Sequence, residues 1–277
     1  MLDLFSMKKK VLIIIFFSLL LPVIFVPIWA FFIEPNLLIV RNIKIKDSAL
    51  KGLKVAYLSD LHICQDGKDY LLKIIKKVND QKPDIILLGG DYIVADIKNN
   101  KTMSPQEIAT HLKGLKAKYG IFMVMGNHET HRKVQKTISD TIKDSDIRIL
   151  QNANIKIQLP DKTFYVVGIA DFSNNRQDIT KAFKDVQPPV IAFTHSPDIF
   201  PYIPDYVNIT LAGHTHGGQV YIPFFGPMKK PTHLLGKYIK GLYEENGKKM
   251  FVSSGIGNSH YKVRMFNLPE IIILDFK

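Results

Sequence analysis

The chain has 277 residues, 46% apolar and 22% charged, a globular composition that excludes global disorder. A formal net charge of +12 favours anionic partners (phosphorylated substrates, nucleic acid or an anionic membrane surface), but the spread of the lysines along the chain argues against a nucleic-acid-binding arm. The single cysteine, Cys64, excludes an intrachain disulfide and reads as a small buried residue.

In chain order, the first element is an apolar run over 11–33 without one charged residue, long enough to cross a bilayer as a helix. Lys8, Lys9 and Lys10 precede it, and Trp29 stands near its far end, where an interfacial aromatic belongs. Glu34-Pro35 stops the run, and Pro22 and Pro27 are tolerable inside a membrane helix. The competing reading is a cleaved signal peptide. Its apolar region would be shorter, and Ile28-Trp29-Ala30-Phe31-Phe32-Ile33 offers no small-x-small cleavage site. Residues 1–35 are therefore read as a retained single-pass anchor and 36–277 as one globular domain. The three lysines put the N-terminus inside and the domain on the outer face of the cytoplasmic membrane. Arg41, Lys44, Lys46 and Lys51 weaken that asymmetry.

After the anchor, an edge strand is predicted at 38–45 and a strand at 53–58. Helical spacing comes next at 70–79, then a strand at 84–88, a helix at 105–115, a strand at 121–125 and a helix at 134–143. Strands at 155–159 and 164–169, a helix at 179–186 and strands at 190–193 and 207–211 continue the series. The tail is β-rich, at 220–222, 249–252 and 271–275. This alternation indicates an α/β domain with a substantially parallel core and added antiparallel strands.

The residues with chemistry lie just past the central strands. Asp60-Leu61-His62, Gly90-Asp91, Gly126-Asn127-His128-Glu129, His195 and Gly213-His214-Thr215-His216 each stand at the C-terminal end of an apolar run. In open α/β sheets that is where ligands bind. Two carboxylates, several imidazoles and an amide form a mixed nitrogen and oxygen donor set, suited to manganese, iron or zinc rather than calcium. Side chains alternate along extended backbone, so Asp-x-His and His-x-His can each aim two donors the same way. The glycines before Asp91, Asn127 and His214 permit close backbone approach. A lone histidine or Gly-Asp pair would be structural. Five of the nine histidines at strand ends of one domain point instead to a metal site.

In order and spacing, these five blocks resemble those of the calcineurin-like metallophosphoesterases, from about residue 53 to the C-terminus. Gly217-Gly218-Gln219 and the late Arg264 and Pro269-Glu270 are similar to the bacterial membrane-associated phosphodiesterase branch of the YaeI and YkuE type. The resemblance implies a four-layer α/β/β/α sandwich with two mixed sheets. It implies two divalent ions, manganese before iron or zinc, with Asp60, His62 and His216 on one and Asn127, His195 and His214 on the other, and Asp91 bridging. His128 would touch the substrate phosphate and protonate the leaving group, and Asn127 would also contact the phosphate. Glu129 stands where aspartate is more usual. Arg264 is read either as a phosphate contact or as a surface charge, and His111, His131, His233 and His260 as structural or surface residues.

The implied activity is hydrolysis of a phosphodiester or pyrophosphate bond by a metal-bridging hydroxide, in a lipid or cell-envelope substrate. The alternatives are a UDP-2,3-diacylglucosamine diphosphatase of lipid A synthesis, a nucleotide or nucleic-acid phosphodiesterase, and an inactive metal-binding scaffold. The expected partners are a phosphorylated substrate, lipid-linked in the leading reading, and the membrane through the N-terminal helix. No specific nucleic acid is expected, for want of aromatic-basic interleaving.

Overall fold

A computed structural model describes residues 2–94, 102–232, 236–259 and 261–277. His233 and His260 lie outside the described residues.

The chain begins with α1 (Leu2–Ile28), which runs on through a π turn and a 3-10 turn to Asn36. Among the described residues, Lys9–Asn36 is the one segment long and apolar enough to cross a membrane. Its mean hydropathy is 3.0, and none of its most apolar window packs against the rest of the chain. The helix does not end on a loose tether. The buried Glu34 carboxylate accepts from the Trp29 indole (2.6 Å) and from the backbone of Phe266 (3.0 Å) and Asn267, and Arg264 N–H donates to the Ala30 carbonyl (2.9 Å).

The domain then alternates β1 (Ile39–Ile45), β2 (Lys54–Leu58), α2 (Lys68–Asp80), β3 (Ile85–Leu88), α3 (Pro105–Leu112), β4 (Ile121–Met123), α4 (Asn127–His131), α5 (Gln135–Ile142) and β5 (Ile147–Ile149). The second half comprises β6 (Ala153–Gln158), β7 (Thr163–Gly168), α6 (Ile179–Ala182), β8 (Val190–Phe193), β9 (Ile209–Ala212), β10 (Tyr221–Ile222), β11 (Gly226–Pro227), β12 (Gly241–Glu245), β13 (Lys248–Val252) and β14 (Glu270–Phe276). The first sheet has the order β1-β14-β2-β3-β4-β5, parallel except where β14 meets β2. The second has the order β12-β13-β9-β8-β7-β6, antiparallel only at its two edges.

The sheets lie face to face and helices cover the outside. Val55, Tyr57, Ile85 and Leu87 of the first sheet share one buried cluster with Val166, Ile191, Phe193, Ile209 and Leu211 of the second. The alternate residues Ala56, Leu58, Ile86 and Leu88 face outward onto Leu71 and Ile74 of α2, Ile108 of α3 and Ile138 of α5. On the far side, Val167, Val190 and Ala192 pack on Ala182, Phe183 and Ile199. The result is a four-layer α/β/β/α sandwich. Strands buried on both faces read as unbroken apolar runs, which is why Ile85–Leu88 and Val190–Phe193 carry no polar alternation. Burying a Val, Leu, Ile or Phe side chain contributes about 1.5–3 kcal/mol, so the inter-sheet layer is the main anchor of the strand ends that carry the polar clusters.

Several boundaries differ from the sequence reading. β5, β11 and β12 are unanticipated strands, α4 is an unanticipated helix, and the helix expected over 179–186 stops at Ala182. The strand expected over 121–125 ends at Met123, since the chain must turn at Gly126.

Candidate metal centre

The C-terminal ends of β2, β3, β4, β8 and β9 come together where the two sheets meet, and every predicted site residue stands there. Asp60 and His62 follow β2, Asp91 follows β3, Asn127 and His128 open α4, His195 follows β8, and His214 and His216 follow β9.

Two donor groups flank Asp91. On one side, His62 Nε2 lies 3.0 Å from His216 Nε2, and His216 Nε2 lies 3.6 Å from Asp60 Oδ1. On the other, His195 Nε2 lies 3.0 Å from Asn127 Oδ1 and 3.1 Å from His214 Nδ1. Asp91 Oδ2 faces both groups, 3.2 Å from His195 Nε2 and 3.7 Å from His62 Nε2. Asp60, His62 and His216 form one set that could hold a metal ion, Asp91, His195 and His214 a second, and His62, Asp91 and His128 a third. Within each set the donor atoms lie within 4.8 Å of one another.

The hydrogen bonds around the rings test whether a cation fits. His62 Nδ1 donates to the Ile93 carbonyl (2.9 Å) and His195 Nδ1 to the Gly89 carbonyl (2.9 Å). A ring nitrogen facing a carbonyl carries the proton, so each Nε2 presents a lone pair inward. Lone pairs, carboxylates and an amide oxygen therefore converge on two points. Acceptors facing acceptors repel unless a cation sits between them, so the residues fit a pair of divalent ions.

The electrostatics agree. Burial drives His62 down to about 3 and His214 down to about 4, and holds His216 well below its ordinary value, so all three rings are neutral donors near pH 7. Burial alone would raise Asp91, but the imidazoles of His195, His128 and His62 hold it well below the usual carboxylate range. His195 is the exception: burial opposes its charge, yet Asp91 raises it well above its ordinary value, so a metal ion at its Nε2 would take the place of a proton held there by Asp91. Burial lifts Asp60 to about 6 despite His195 nearby.

The loops are built for this convergence. A Cβ on Gly126 would stand 2.1 Å from Asp91 Oδ1, and one on Gly213 would stand 1.8 Å from Ser59 Oγ. Ser59 Oγ donates to Asp60 Oδ2 (2.6 Å), and His214 N–H donates to both Asp60 oxygens (3.0 Å each). Contrary to expectation, Asp-x-His and His-x-His do not converge by strand alternation. Asp60 (φ 56), His62 (φ 43), His214 (φ 70) and His216 (φ 51) are left-handed, not extended. The pairs converge because the chain coils at the strand ends, a strained conformation held by the surrounding contacts. The His216 carbonyl, for one, accepts from Asn267 Nδ2.

Glu129 proves central, although the sequence marks it only as a departure from aspartate. Its buried carboxylate accepts from the N–H groups of Gly126 (2.9 Å), Asp91 (2.9 Å), Tyr92 (2.8 Å) and Ile93 (3.2 Å), tying the β3 and β4 loops together. Asp171 carried no signal in the sequence. It is buried, its Oδ1 has no hydrogen-bond partner among the described residues, and its charge raises His195 and His214. Arg264 is neither the phosphate contact nor the surface charge expected of it. It is fully buried and donates to the carbonyls of Ser254 (3.0 Å), Gly255 (3.2 Å), Gly257 and Asn267 (3.0 Å), pinning the loop behind Asp60. Cys64 is half-buried and lines a cavity of about 290 Å³ that also borders His62. A second cavity, of about 250 Å³, opens over Asp91, Asn127, His128 and His214, with His131, Gln219 and Lys229 at its edge. His128 Nε2 lies 3.6 Å from Asp91 Oδ2, and its Nδ1 lies 3.3 Å from the Ile93 carbonyl.

A family model for calcineurin-like phosphoesterases matches residues 53–218, a span that holds every predicted metal-ligating residue together with His128 and Glu129. The chain belongs to this family. It is a phosphoric ester hydrolase, and its His and Asp clusters suit a binuclear metal site. It is 31% identical over 236 residues to the metallophosphoesterase YkoQ of Bacillus subtilis, covering 80% of this chain and 83% of that protein. It is 30% identical over 234 residues to the phosphodiesterase YaeI of Escherichia coli, covering 83% and 84%. It is 26% identical over 306 residues to the UDP-2,3-diacylglucosamine pyrophosphatase LpxG of Chlamydia trachomatis, covering 89% and 92%.

Proposed function

We propose that this phosphoesterase is a membrane-anchored enzyme that cleaves a phosphodiester or pyrophosphate bond in a lipid-linked or envelope substrate. Residues 1–35 are its anchor and 36–277 its catalytic domain. The observation that carries the reading is the convergence of two lone-pair clusters on opposite sides of Asp91, beneath an open cleft. In this reading Asp60, His62 and His216 hold one ion, and Asn127, His195 and His214 hold the other. Asp91, whose Oδ2 faces both groups, would be shared between them. The ions, manganese by preference, supply Lewis acidity and an activated water.

The chain's own residues do the rest. Asn127 turns its Oδ1 toward His195, which leaves its amide N–H groups for a phosphoryl oxygen. His128, beside Asp91 at the cleft, gives a proton from Nε2 to the leaving oxygen. Lys229, at the cleft edge, draws the anionic group in. The LpxG match, which spans most of both chains, favours one specific second reading, hydrolysis of UDP-2,3-diacylglucosamine.

The test uses the full chain in nanodiscs, stripped of metal and reloaded with manganese. It is assayed on bis-p-nitrophenyl phosphate, p-nitrophenyl phosphate and UDP-2,3-diacylglucosamine. Turnover should require metal and vanish in Asp91→Ala. His128→Ala should keep both ions but lose roughly 100-fold or more on diesters with poor leaving groups. Full activity in His128→Ala removes that residue from the reaction, and activity without metal overturns the reading.

A further inference from the structure

The hairpin of β10 and β11 points away from the core and carries an unusual surface. Phe224 and Phe225 at its turn are almost wholly exposed, and Met228 and Tyr221 are exposed beside them. Lys229 and Lys230 follow at once, both exposed. Tyr261, Lys262 and Phe266 add a second exposed aromatic and basic group close by: the Tyr261 carbonyl accepts from Gln219 Nε2 (2.8 Å), just before the hairpin. A soluble domain seldom leaves large aromatics contiguous and bare unless something covers them.

The fold says what stands next to this patch. The hairpin is rooted on Met265: Val220 bridges to Met265 in parallel fashion, and Tyr221 N–H donates to its carbonyl (2.9 Å). The neighbouring residue, Arg264, is bonded through its N–H to Ala30, at the end of the apolar helix. One strand of chain therefore separates the hairpin root from the helix exit, about 10 Å by ordinary strand spacing. Between helix and domain lies an apolar groove of about 470 Å³, lined by Phe25, Trp29, Met265, Phe266 and Leu268, with the cations Arg41 and Lys240. On its other side the hairpin continues into Lys229, which borders the cleft above Asp91 and His128. Helix exit, apolar groove, aromatic hairpin and site mouth thus form one continuous face.

We propose that this face is a membrane-docking surface, with the Phe224–Phe225 turn seated in the interfacial layer of an anionic bilayer and Lys229 and Lys230 against its headgroups. Aromatic side chains with flanking lysines match that layer in both its apolar and its charged parts. The docked face sets the site mouth at headgroup depth, so the substrate class it favours is a phosphate ester held in the membrane over one free in solution. The proposal rests on residues 9–36 being a membrane anchor.

Trp29 is the only tryptophan, which makes the test direct. The full chain is reconstituted in phosphatidylcholine–phosphatidylglycerol vesicles whose acyl chains are brominated near the headgroup, and tryptophan emission is compared with unbrominated vesicles. Three single-tryptophan chains are used: the native one, Phe225→Trp in a Trp29→Phe background, and Asp161→Trp in the same background. Asp161 is exposed in the turn between β6 and β7, at the opposite ends of the strands from the site. The native chain and the Phe225→Trp chain should each lose roughly half of their emission or more, and the Asp161→Trp chain should lose little. Quenching of Trp29 together with Phe225→Trp emission no more quenched than that of Asp161→Trp overturns the docked hairpin and leaves the anchor standing. An unquenched Trp29 overturns the anchor and the docking with it. Turnover of bis-p-nitrophenyl phosphate by the same variants checks that each is folded, and reports on the phosphoesterase reading separately.

Discussion

At the scale of single residues, the donors were legible because each interrupts an apolar run with a polar group that no sheet interior would accept unpaired. Asp60, Asp91, Asn127, His195 and His214 are polar points at the ends of buried strands, and the structure gathers all of them at one place. Residues that act by holding others left a fainter trace. A lone arginine in a sequence carries no mark of burial, so Arg264 read as a surface or substrate-facing charge. In the fold, burial pulls its guanidinium down to about 10, and its donors are taken up by loop carbonyls. Glu129 is the sharper case, because its four partners lie on two loops distant in sequence. Glu129→Ala strands those four buried N–H groups. Their lost acceptor should cost roughly 3–5 kcal/mol in total, and Asp91 should be displaced with them. Thermal unfolding with metal analysis checks this. A variant that keeps native stability and two ions removes Glu129 from the positioning of Asp91.

At the scale of elements, the parallel strands were readable because runs such as Ile85–Leu88 are apolar throughout and end on glycine. The missed strands are short or mixed. Ile147–Ile149 is a three-residue edge with an exposed arginine, and Gly241–Glu245 is a charged edge strand that begins on glycine. The left-handed turns at the site were not legible at all. Asp60 and His62 adopt them because of tertiary contacts, not because of their own preference. The α3 start was legible, and it makes a quantitative test. Ser104 Oγ accepts from Glu107 N–H (3.2 Å), and the Glu107 carboxylate accepts from Ser104 N–H (3.2 Å), a reciprocal cap. Ser104→Ala should lower stability by about 1 kcal/mol at neutral pH. The Ser104 hydrogen bonds hold the Glu107 carboxyl below its ordinary value. A depressed acid stabilises the fold above its unfolded pKa and loses that contribution as the pH falls through the folded one. The gap between native chain and variant should therefore shrink in acid. A gap that stays constant from neutral to about pH 3 shows that Glu107 takes no part in the cap.

At the scale of the whole molecule, the layered architecture came with the family resemblance, since alternation alone specifies an α/β domain but not the order of two sheets. The joint between helix and domain could not be foreseen. It pairs Glu34 with Phe266, 232 positions apart. The bulk charge of +12 suggested an anionic partner without placing it, while the fold gathers Lys229, Lys230 and Lys262 beside exposed aromatics. Glu34→Ala leaves the Trp29 indole and two backbone N–H groups without their acceptor. Local opening at the joint should rise roughly tenfold or more. Limited proteolysis within 30–38 should quicken by that factor, while cleavage elsewhere is unchanged.

On the proposed anchoring in a membrane, that joint also decides how the enzyme would meet a lipid-held substrate. A catalytic head on a flexible stalk samples a hemisphere of solution above its anchor. A head clamped to such an anchor at Glu34 and Arg264 would keep a fixed height and tilt, and retain only rotation about the membrane normal and lateral diffusion. Its search is then two-dimensional. For the proposed lipid-held substrate its rate would follow the mole fraction of substrate within the surface, and diluting the membrane with inert lipid should slow turnover even when the bulk substrate concentration is unchanged.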